Sequence, residues 1–222
     1  MIKKSKVLAI IPARKGSKRL PNKNKLDLNG KPLIWWVLNS LSNSKVDKII
    51  VATDAPYLDL LNSFNFPKLD IYLRDLENSK DESSTEDVLV ETINNLNLKG
   101  DIMLVQATSP LTTTEDFNRG IKKYSNYDSV LSVVKQKRFI WGSQGNSLNY
   151  DYNKRPRRQE FDGYYVENGA FYINTSQNIL RHNNRLSGKI GLSEMSELTY
   201  YEIDSEEDWE VISSLLKNKK CK

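Results

Sequence analysis

Cysteine and histidine are almost absent from this chain of 222 residues, which contains one cysteine, Cys221, and one histidine, His182. A single cysteine cannot form an internal disulfide, and it cannot supply the thiolates of a structural zinc cluster. The chain is therefore neither a disulfide-stabilised scaffold nor a zinc finger. His182 lies among polar and charged residues, and we expect it at the protein surface.

Long apolar runs are also missing: none approaches the length of a membrane span, and the stretch after the first lysines is too short for a signal peptide. We therefore expect a cytoplasmic protein with no membrane contact. The charge excess is small, 33 Lys and Arg against 28 Asp and Glu, and no nucleic-acid-binding motif accompanies it. The composition, with 38% hydrophobic residues, predicts one folded domain over residues 1–222 and no nucleic-acid partner.

Short apolar runs alternate with helical patterns along much of the chain. We predict strands over 7–11, 48–54, 70–73, 102–105 and 128–134, helices over 33–44, 57–64 and 114–124, and a further helix that runs through 88–93 after a Ser or Thr cap at 83–85. This alternation is typical of an α/β protein with a mostly parallel sheet and helices on both faces. In such sheets ligands bind at the carboxyl ends of the strands, so residues that follow each strand are the candidate site.

A basic loop follows the first predicted strand. It contains two prolines, Gly16 and six cations, which are Arg14, Lys15, Lys18, Arg19, Lys23 and Lys25. Backbone amides near a glycine can converge on an anion, and Arg and Lys add charged hydrogen bonds. The loop therefore predicts a site for a polyanion such as a chain of phosphates. It matches neither G-x-x-x-x-G-K-[ST] nor G-x-G-x-x-G, which excludes the common ATPase and dinucleotide-binding loops.

Two carboxylates, Glu202 and Asp204, lie near the other end of the chain in a segment, 198–204, that we predict to be a strand. Residues two apart project from the same face of a strand, so the pair should lie side by side. Adjacent carboxylates repel each other unless a cation lies between them, and oxygen ligands suit Mg2+. The pair therefore predicts a magnesium site. The acidic residues at 206–208 are already explained by the N-terminus of the last helix.

The residues from Pro12 to Asn24 resemble the signature loop of the acylneuraminate cytidylyltransferases, the family of the CMP-sialic acid synthetases. Members of that family transfer CMP from CTP to acidic sugars. Further matching motifs follow in the family's order and extend the resemblance to residue 208. The resemblance implies a Rossmann-like nucleotidyltransferase fold, CTP and an acidic sugar as substrates, and Mg2+ as cofactor.

The resemblance also implies roles on the nucleotide side. We expect Arg14 and Lys23 to bind phosphate oxygens, Asn24 to hold the ribose, and Arg74 with residues 83–85 to contact the cytosine. Capping of a helix would equally explain the Ser and Thr residues at 83–85. The complete set of expected nucleotide-binding residues is Ala13, Arg14, Ser17, Lys23, Asn24, Arg74, Ser83, Ser84 and Thr85.

On the acceptor side, the turn from Gln106 to Leu111 resembles the family's Leu-Gln-Pro-Thr-Ser-Pro-Leu motif, with Ala107 in place of the first proline. Residues 168–172 resemble its Asn-Gly-Ala-Ile-Tyr strand, and residues 156–159 its Pro-Arg-Gln segment. The implied acceptor-binding residues are Gln106, Thr108, Ser109, Arg158, Gln159 and Tyr172. Arg suits a sugar carboxylate, and Arg158 and Gln159 are also candidates for reaching across a dimer interface.

Residues 135–166 interrupt the alternation of strands and helices with glycine turns and apolar side chains, which predicts a small β-hairpin arm. The resemblance implies that this arm forms a homodimer. The family's magnesium-binding Asp-Ile-Asp motif is Glu202-Ile203-Asp204 here, so Asp204 matches directly and Glu202 has a longer side chain. Arg14, Lys23 and Asp204 are the implied catalytic residues.

The implied reaction transfers CMP from CTP to the anomeric hydroxyl of a nine-carbon α-keto acid sugar, such as sialic, legionaminic or pseudaminic acid, for surface polysaccharide biosynthesis. An aspartate near position 108 marks the related Kdo cytidylyltransferases, and Thr108 argues against that branch. Residues 186–197 lack the aromatic pair of many sialic acid enzymes, which leaves the sugar open. Alternatives are a nucleotidyltransferase for another acceptor and a nucleotide-binding regulator whose chemistry was lost with Ala107 and Glu202. A pI of about 9.1 is the one feature favouring a nucleic-acid binder.

Overall fold

The computed structural model describes residues 6–14, 16, 19–75 and 84–220. Its strands are β1 Val7–Ala13, β2 Asp27–Leu28, β3 Lys31–Pro32, β4 Lys48–Thr53, β5 Leu69–Leu73, β6 Asp101–Val105, β7 Ser129–Gln136, β8 Tyr164–Thr175 and β9 Ile190–Met195. Its α-helices are α1 Leu33–Ser42, α2 Leu58–Asn62, α3 Thr85–Asn95, α4 Thr114–Tyr124, α5 Ser176–His182 and α6 Glu206–Lys220. None of these helices is long and apolar enough to cross a membrane.

Seven strands form one sheet in the order β5-β4-β1-β6-β8-β7-β9, and β2 pairs with β3 in a separate two-stranded ribbon. Within the large sheet, β8 is antiparallel to both neighbours and the other six strands share one direction. The prediction of an α/β protein with a mostly parallel sheet is confirmed. From β1 the chain adds β4 and β5 on one side and later β6 on the other, which places a ligand-binding crevice where β1 and β6 end.

Both faces of the sheet are covered, which explains why β1 is a continuous apolar run. Val7, Ala9 and Ile11 pack on one face with residues of α1 and α4, and Leu8 and Ile10 pack on the other with residues of α3 and α5. A third apolar cluster lies beyond the end of the sheet and joins the basic loop to α6. Its members include Leu20, Leu28, Leu33, Leu111, Ile203, Ile212 and Leu216.

The predicted strand over 198–204 is wrong. Glu197–Tyr200 form a short 3-10 helix, and residues 201–203 belong to no helix and no sheet. Ile203 is fully buried in the third apolar cluster, and its N–H donates to the carbonyl of Thr108 at 2.9 Å, so this segment is attached to a loop. The strand of this region is β9, which the sequence pattern hid because Gly191 and Ser193 face inward while Ile190 and Leu192 are exposed.

The predicted arm over 135–166 includes the last pairs of the antiparallel strands β7 and β8, up to Gln136 with Tyr164, and residues 137–163 lie beyond that pair. An isolated bridge between Trp141 and Ser147 closes a smaller turn within it. The ring centroid of Phe139 lies 4.4 Å from that of Tyr150 and 5.1 Å from that of Phe161, so the arm has its own aromatic cluster. Its role in dimerisation stays a prediction.

Candidate active site

The basic loop after β1 forms part of the wall of a cavity with a volume of about 510 Å³. The end of β1 is fixed because the Thr53 hydroxyl donates to the Ala13 carbonyl at 2.6 Å. The loop residues that line the cavity are Pro12, Arg14, Gly16, Arg19, Lys23 and Asn24. Lys25 turns away and donates to the carbonyl of Pro56, with its ammonium over the Tyr57 ring. We call this space the nucleotide cavity.

Residues from four other parts of the chain complete the nucleotide cavity. Arg74 follows β5, a second group begins α3, a third follows β6, and Asp204 precedes α6. The members of these groups are Arg74, Ser84, Thr85, Val88, Gln106, Ala107, Thr108 and Asp204. These positions match the expectation that the informative residues lie at the carboxyl ends of the parallel strands.

Lys23 and Asp204 meet at the rim of this cavity, although 181 residues separate them. The Lys23 ammonium lies 2.9 Å from Asp204 Oδ1 and also donates to the Ile203 carbonyl at 3.0 Å. The Asp204 N–H donates to the carboxylate of Asp208 at 3.0 Å, which fixes the turn into α6. The structure therefore brings the cationic loop and the acidic pair together at one place.

Arg74 brings a buried positive charge to the nucleotide cavity. Its Nη2 donates to Asp54 Oδ1 at 2.5 Å, and its backbone N–H donates to the Thr53 carbonyl at 3.0 Å. The guanidinium is thus held at the ends of β4 and β5. Burial and the charge of Asp54 together raise the pKa of the neighbouring Tyr57 to about 12, so this phenol stays protonated at neutral pH.

Ser84 caps α3. Its hydroxyl accepts from the Asp87 N–H at 3.1 Å, and the Asp87 carboxylate accepts from the Ser84 N–H at 2.9 Å. These hydrogen bonds hold the pKa of Asp87 below its usual value. Capping therefore explains Ser84 by itself, while Ser84 and Thr85 also line the nucleotide cavity. Ser17 and Ser83, two further predicted nucleotide contacts, lie outside the described residues.

A second cavity of about 400 Å³ adjoins the first, and we call it the acceptor cavity. Lys23, Gln106, Thr108 and Asp204 line both cavities. The other residues of the acceptor cavity are Glu167, Gly169, Tyr172 and Glu202. The four shared residues therefore lie where a group bound in one cavity would face a group bound in the other.

A bulge in β8 brings residues 167–172 to the acceptor cavity. The pairing of β7 with β8 passes from Leu131 opposite Tyr172 to Val133 opposite Glu167, so extra residues of β8 loop out between these pairs. The Phe171 N–H donates to the Ser132 hydroxyl at 3.0 Å within this bulge. A bulge re-aims side chains beside a site, and here it places both Tyr172 and Glu167 in the wall of the cavity.

Glu202 and Asp204 both face the acceptor cavity, as the sequence pattern predicts, although no strand holds them. Burial, with a contribution from the charge of Asp204, raises the pKa of Glu202. Asn168 positions the segment because its Nδ2 donates to the carbonyl and the hydroxyl of Thr199, at 3.1 and 3.0 Å. The sequence motif around Asn168 signalled importance without revealing this role.

The carboxylates are suited to Mg2+. No group of three or more acidic, His or Cys residues able to hold a metal occurs in the described part of the chain. Mg2+ needs fewer protein ligands, because it is commonly bound by one or two carboxylates together with substrate phosphates. Glu202 and Asp204 provide two carboxylates on one cavity, which is the number of protein ligands that such a site needs.

The other predicted site residues lie outside both cavities. Ala13 is buried at the end of β1, and Ser109 is buried in the turn after β6. Arg158 and Gln159 are exposed on the arm, where Arg158 Nε donates to the Lys137 carbonyl at 3.2 Å. Their expected contacts with the nucleotide and the acceptor therefore stay predictions, as does the dimer alternative for the last two. His182 is exposed at the end of α5, as expected.

Glu167 lines the acceptor cavity although the sequence pattern did not single it out, and Arg19 lines the nucleotide cavity although only its charge, and no individual role, was predicted. Arg19 belongs to the basic loop, and its charge was a usable signal. Glu167 directly precedes the Asn168-Gly169 motif, but its side-chain direction depends on the bulge in β8. A pattern of alternating residues cannot reveal such a bulge.

Comparison with known proteins agrees with this geometry. The family model described as Cytidylyltransferase matches residues 8–221. N-acylneuraminate cytidylyltransferase B of Danio rerio is 35% identical over 221 residues, covering 91% of this chain and 49% of that protein. Pseudaminic acid cytidylyltransferase of Campylobacter jejuni is 28% identical over 186 residues, covering 78% of this chain and 79% of that protein.

Among solved structures, a CMP:2-keto-3-deoxy-manno-octonic acid synthetase complexed with CTP superposes with a TM-score of 0.69 at 20% identity, covering 97% of this chain and all of that one. This likeness supports the fold. The chain spans about half the length of the N-acylneuraminate cytidylyltransferases of Danio rerio and Oncorhynchus mykiss that it matches. The matched span, the fold and the two adjoining cavities agree, and the chain belongs to the cytidylyltransferase family.

Proposed function

We propose that this protein transfers CMP from CTP to the anomeric hydroxyl of a nine-carbon α-keto acid sugar and releases pyrophosphate. The observation that carries the proposal is the junction of the two cavities, where Lys23, Gln106, Thr108 and Asp204 line both. A basic cavity and an acid-lined cavity meet there, as a reaction between a triphosphate and a sugar hydroxyl requires. The names of the relatives support the sugar class, since they refer to N-acylneuraminate and pseudaminic acid.

In the proposed mechanism, the triphosphate lies against Arg14, Arg19 and Lys23, and the cytosine lies near Arg74 and the start of α3. The sugar hydroxyl enters from the acceptor cavity and attacks the α-phosphate, the bond to the leaving pyrophosphate breaks, and the proton of the hydroxyl is released to solvent. Negative charge grows on the phosphate oxygens during this step, and cations already held in place stabilise it without reorganisation. Lys23 stands at the junction, so its ammonium can bind a phosphate oxygen while remaining close to Asp204.

Glu202 and Asp204 would hold Mg2+ together with triphosphate oxygens. When bound, the ion supplies Lewis-acid stabilisation of phosphate charge. Glu202 keeps a carboxylate on the cavity despite its extra methylene compared with aspartate, and Ala107 lines the nucleotide cavity at the position of the family's proline. Neither departure removes a charged group from the site, and this favours an enzyme over a regulator.

The arm supports a further part of the proposal, a homodimer. Trp141, Leu148 and Tyr152 are exposed apolar side chains on the arm, and Arg158 and Gln159 lie on the same segment. In the dimer, Arg158 of the partner subunit would reach the acceptor cavity and bind the sugar carboxylate. The CMP-activated sugar would supply surface polysaccharide biosynthesis from the cytoplasm, and we expect no nucleic-acid or membrane partner.

A pyrophosphate-release assay with CTP, Mg2+ and a panel of acid sugars tests the proposal. The panel contains sialic, legionaminic and pseudaminic acids, with the eight-carbon acid Kdo as the comparison sugar. We expect turnover with at least one nine-carbon acid, and we expect Lys23→Met to lower kcat at least about 100-fold because it removes a charge at the phosphates.

Lys25→Met is the matched control, since Lys25 belongs to the same loop but turns away from the cavity. It should keep nearly full activity, and circular dichroism should show that both variants fold. CTP binding without turnover of any sugar would favour the regulator, and turnover of Kdo alone would favour a different acceptor.

A further inference from the structure

Arg185 lies behind the acceptor cavity and joins two elements that line the site. Its Nε donates to Glu86 Oε1 at 2.6 Å and its Nη2 donates to Glu86 Oε2 at 2.8 Å. Its guanidinium also lies over the ring of Tyr172, with the carbon Cζ 4.9 Å from the ring centroid. Glu86 belongs to the first turn of α3, directly after Thr85, which lines the nucleotide cavity.

Tyr172 connects Arg185 to Glu167 in the wall of the acceptor cavity. Its hydroxyl donates to Glu167 Oε1, and both residues line the acceptor cavity. Burial and the neighbouring Glu167 raise the pKa of the Tyr172 phenol, so it remains a hydrogen-bond donor. The Glu167 carboxylate therefore has one fixed partner and further lone pairs that can accept hydrogen bonds from a ligand.

We propose that Arg185 is a positioning residue for the acceptor sugar, because it fixes Tyr172 from behind and thereby orients Glu167 toward hydroxyl or amide N–H groups of the sugar. The inference rests on the proposed function and deepens it. If Glu167 accepts hydrogen bonds from the sugar, its carboxylate would repel the carboxylate of the sugar. The sugar carboxylate must therefore bind in another part of the cavity.

The geometry of Arg185 supports this role. Two parallel hydrogen bonds between a guanidinium and a carboxylate fix orientation as well as distance. The side chains of Arg185 and Glu86 are 22% and 21% exposed, so water and salt screen this pair less than a surface pair. Glu86 balances the charge of Arg185, so Arg185 can hold the ring of Tyr172 in place without forming an ion pair with Glu167.

Steady-state kinetics of Arg185→Met with CTP and the accepted sugar test the inference. We expect the KM for the sugar to rise about tenfold, while kcat and the KM for CTP change less than twofold. Glu86→Gln should give the same pattern, the double variant should add nothing further, and Arg185→Lys should restore part of the loss. Deoxy analogues of the sugar, tested one hydroxyl at a time, should identify one donor whose removal weakens the wild type but hardly affects Arg185→Met.

Lys189→Met is the matched control, because the Lys189 ammonium also lies over a tyrosine ring, at 5.0 Å from the centroid of Tyr127, outside both cavities. It should leave both KM values unchanged. An unchanged sugar KM in Arg185→Met would overturn the inference, as would equal rises of both KM values with a lower Tm. A wild-type protein that turns over no acid sugar would instead overturn the proposed function, and this inference with it.

Discussion

At the scale of single residues, Glu202 is a half-buried carboxylate whose surroundings disfavour its negative charge. It shares a cavity with Asp204, and Gly169 lies so close that a Cβ added there would be 3.2 Å from Glu202 Oε2. Gly169 also has a φ of +67°, a backbone conformation that a side chain would strain. The close approach of backbone and carboxylate leaves Glu202 partly withdrawn from water, and its pKa rises for that reason.

Glu202→Gln should therefore stabilise the protein when Mg2+ is absent. The folded state raises the pKa of Glu202, so ionisation at high pH costs folding free energy, and this cost disappears as pH falls below the pKa of the unfolded chain. We expect a Tm gain of about 1–2 °C at pH 8 and no gain near about pH 4, where the unfolded carboxyl is largely protonated. Scanning calorimetry across this pH range measures the effect.

Addition of Mg2+ and CTP should raise the Tm of the wild type more than that of Glu202→Gln, so that the wild type becomes the protein with the higher Tm. Glu197→Gln provides the control, since Glu197 is an exposed acid in the turn before the site. If Glu202→Gln melts at a lower temperature than the wild type at pH 8 without metal, the electrostatic argument is wrong.

At the scale of elements, the helices α3 and α4 begin with the same capping motif but lie in different surroundings. Ser84 and Asp87 form a capping box at the start of α3, and Thr113 and Asp116 form one at the start of α4. The cap of α3 lines the nucleotide cavity, whereas Thr113 lies outside both cavities of the site. A comparison of these two caps therefore distinguishes the contribution of a cap to stability from a contribution to nucleotide binding.

Ser84→Ala and Thr113→Ala should each cost about 1 kcal/mol of folding free energy, or about 2–4 °C in Tm. Only Ser84→Ala should also raise the KM for CTP, by about threefold or more, because it removes a hydroxyl from the cavity. Thermal melts and CTP titrations of both variants test this. Equal CTP affinity in the two variants would restrict Ser84 to capping.

At the scale of the whole molecule, the third apolar cluster unites the two ends of the site. Leu20 of the basic loop, Ile203 of the acidic segment and Ile212 of α6 are buried in it together. The Ile203 N–H also donates a hydrogen bond to the Thr108 carbonyl. Ile203 directly precedes Asp204, and Asp204 pairs with Lys23 of the basic loop, so the packing of this cluster fixes the positions of both charged residues. Arg158 and Gln159 lie outside it, on the arm, and a second subunit would have to deliver them.

Mixing two inactive variants tests the dimer. Asp204→Asn and Arg158→Ala should each lose most activity, whereas the mixed dimer has one site with an intact Asp204 and an intact Arg158 of the partner subunit. Random mixing makes half of the dimers mixed, each with one intact site, so we expect about one quarter of the wild-type rate. Light scattering should show a dimer. A monomer, or no recovery after refolding the chains together, would contradict this proposal.

The sequence by itself determined the α/β class, most strands and helices, and the charged residue types of the candidate site. Continuous apolar runs such as β1 predict buried parallel strands, and the cations of the basic loop predict an anion site wherever the loop lies. These features are local, since periodicity, caps and charge are properties of neighbouring residues.

Only the tertiary structure decided how distant residues meet. It joined Lys23 to Asp204, replaced the predicted strand over 198–204 with a turn and a segment attached to a loop, and moved Glu167 into the acceptor cavity through a bulge. Arg185 gained its partners in the same way, from α3 and β8. The physical reason is that these contacts join residues far apart in the chain and form only when the elements pack together. The local periodicity of the sequence does not depend on that packing and cannot predict it.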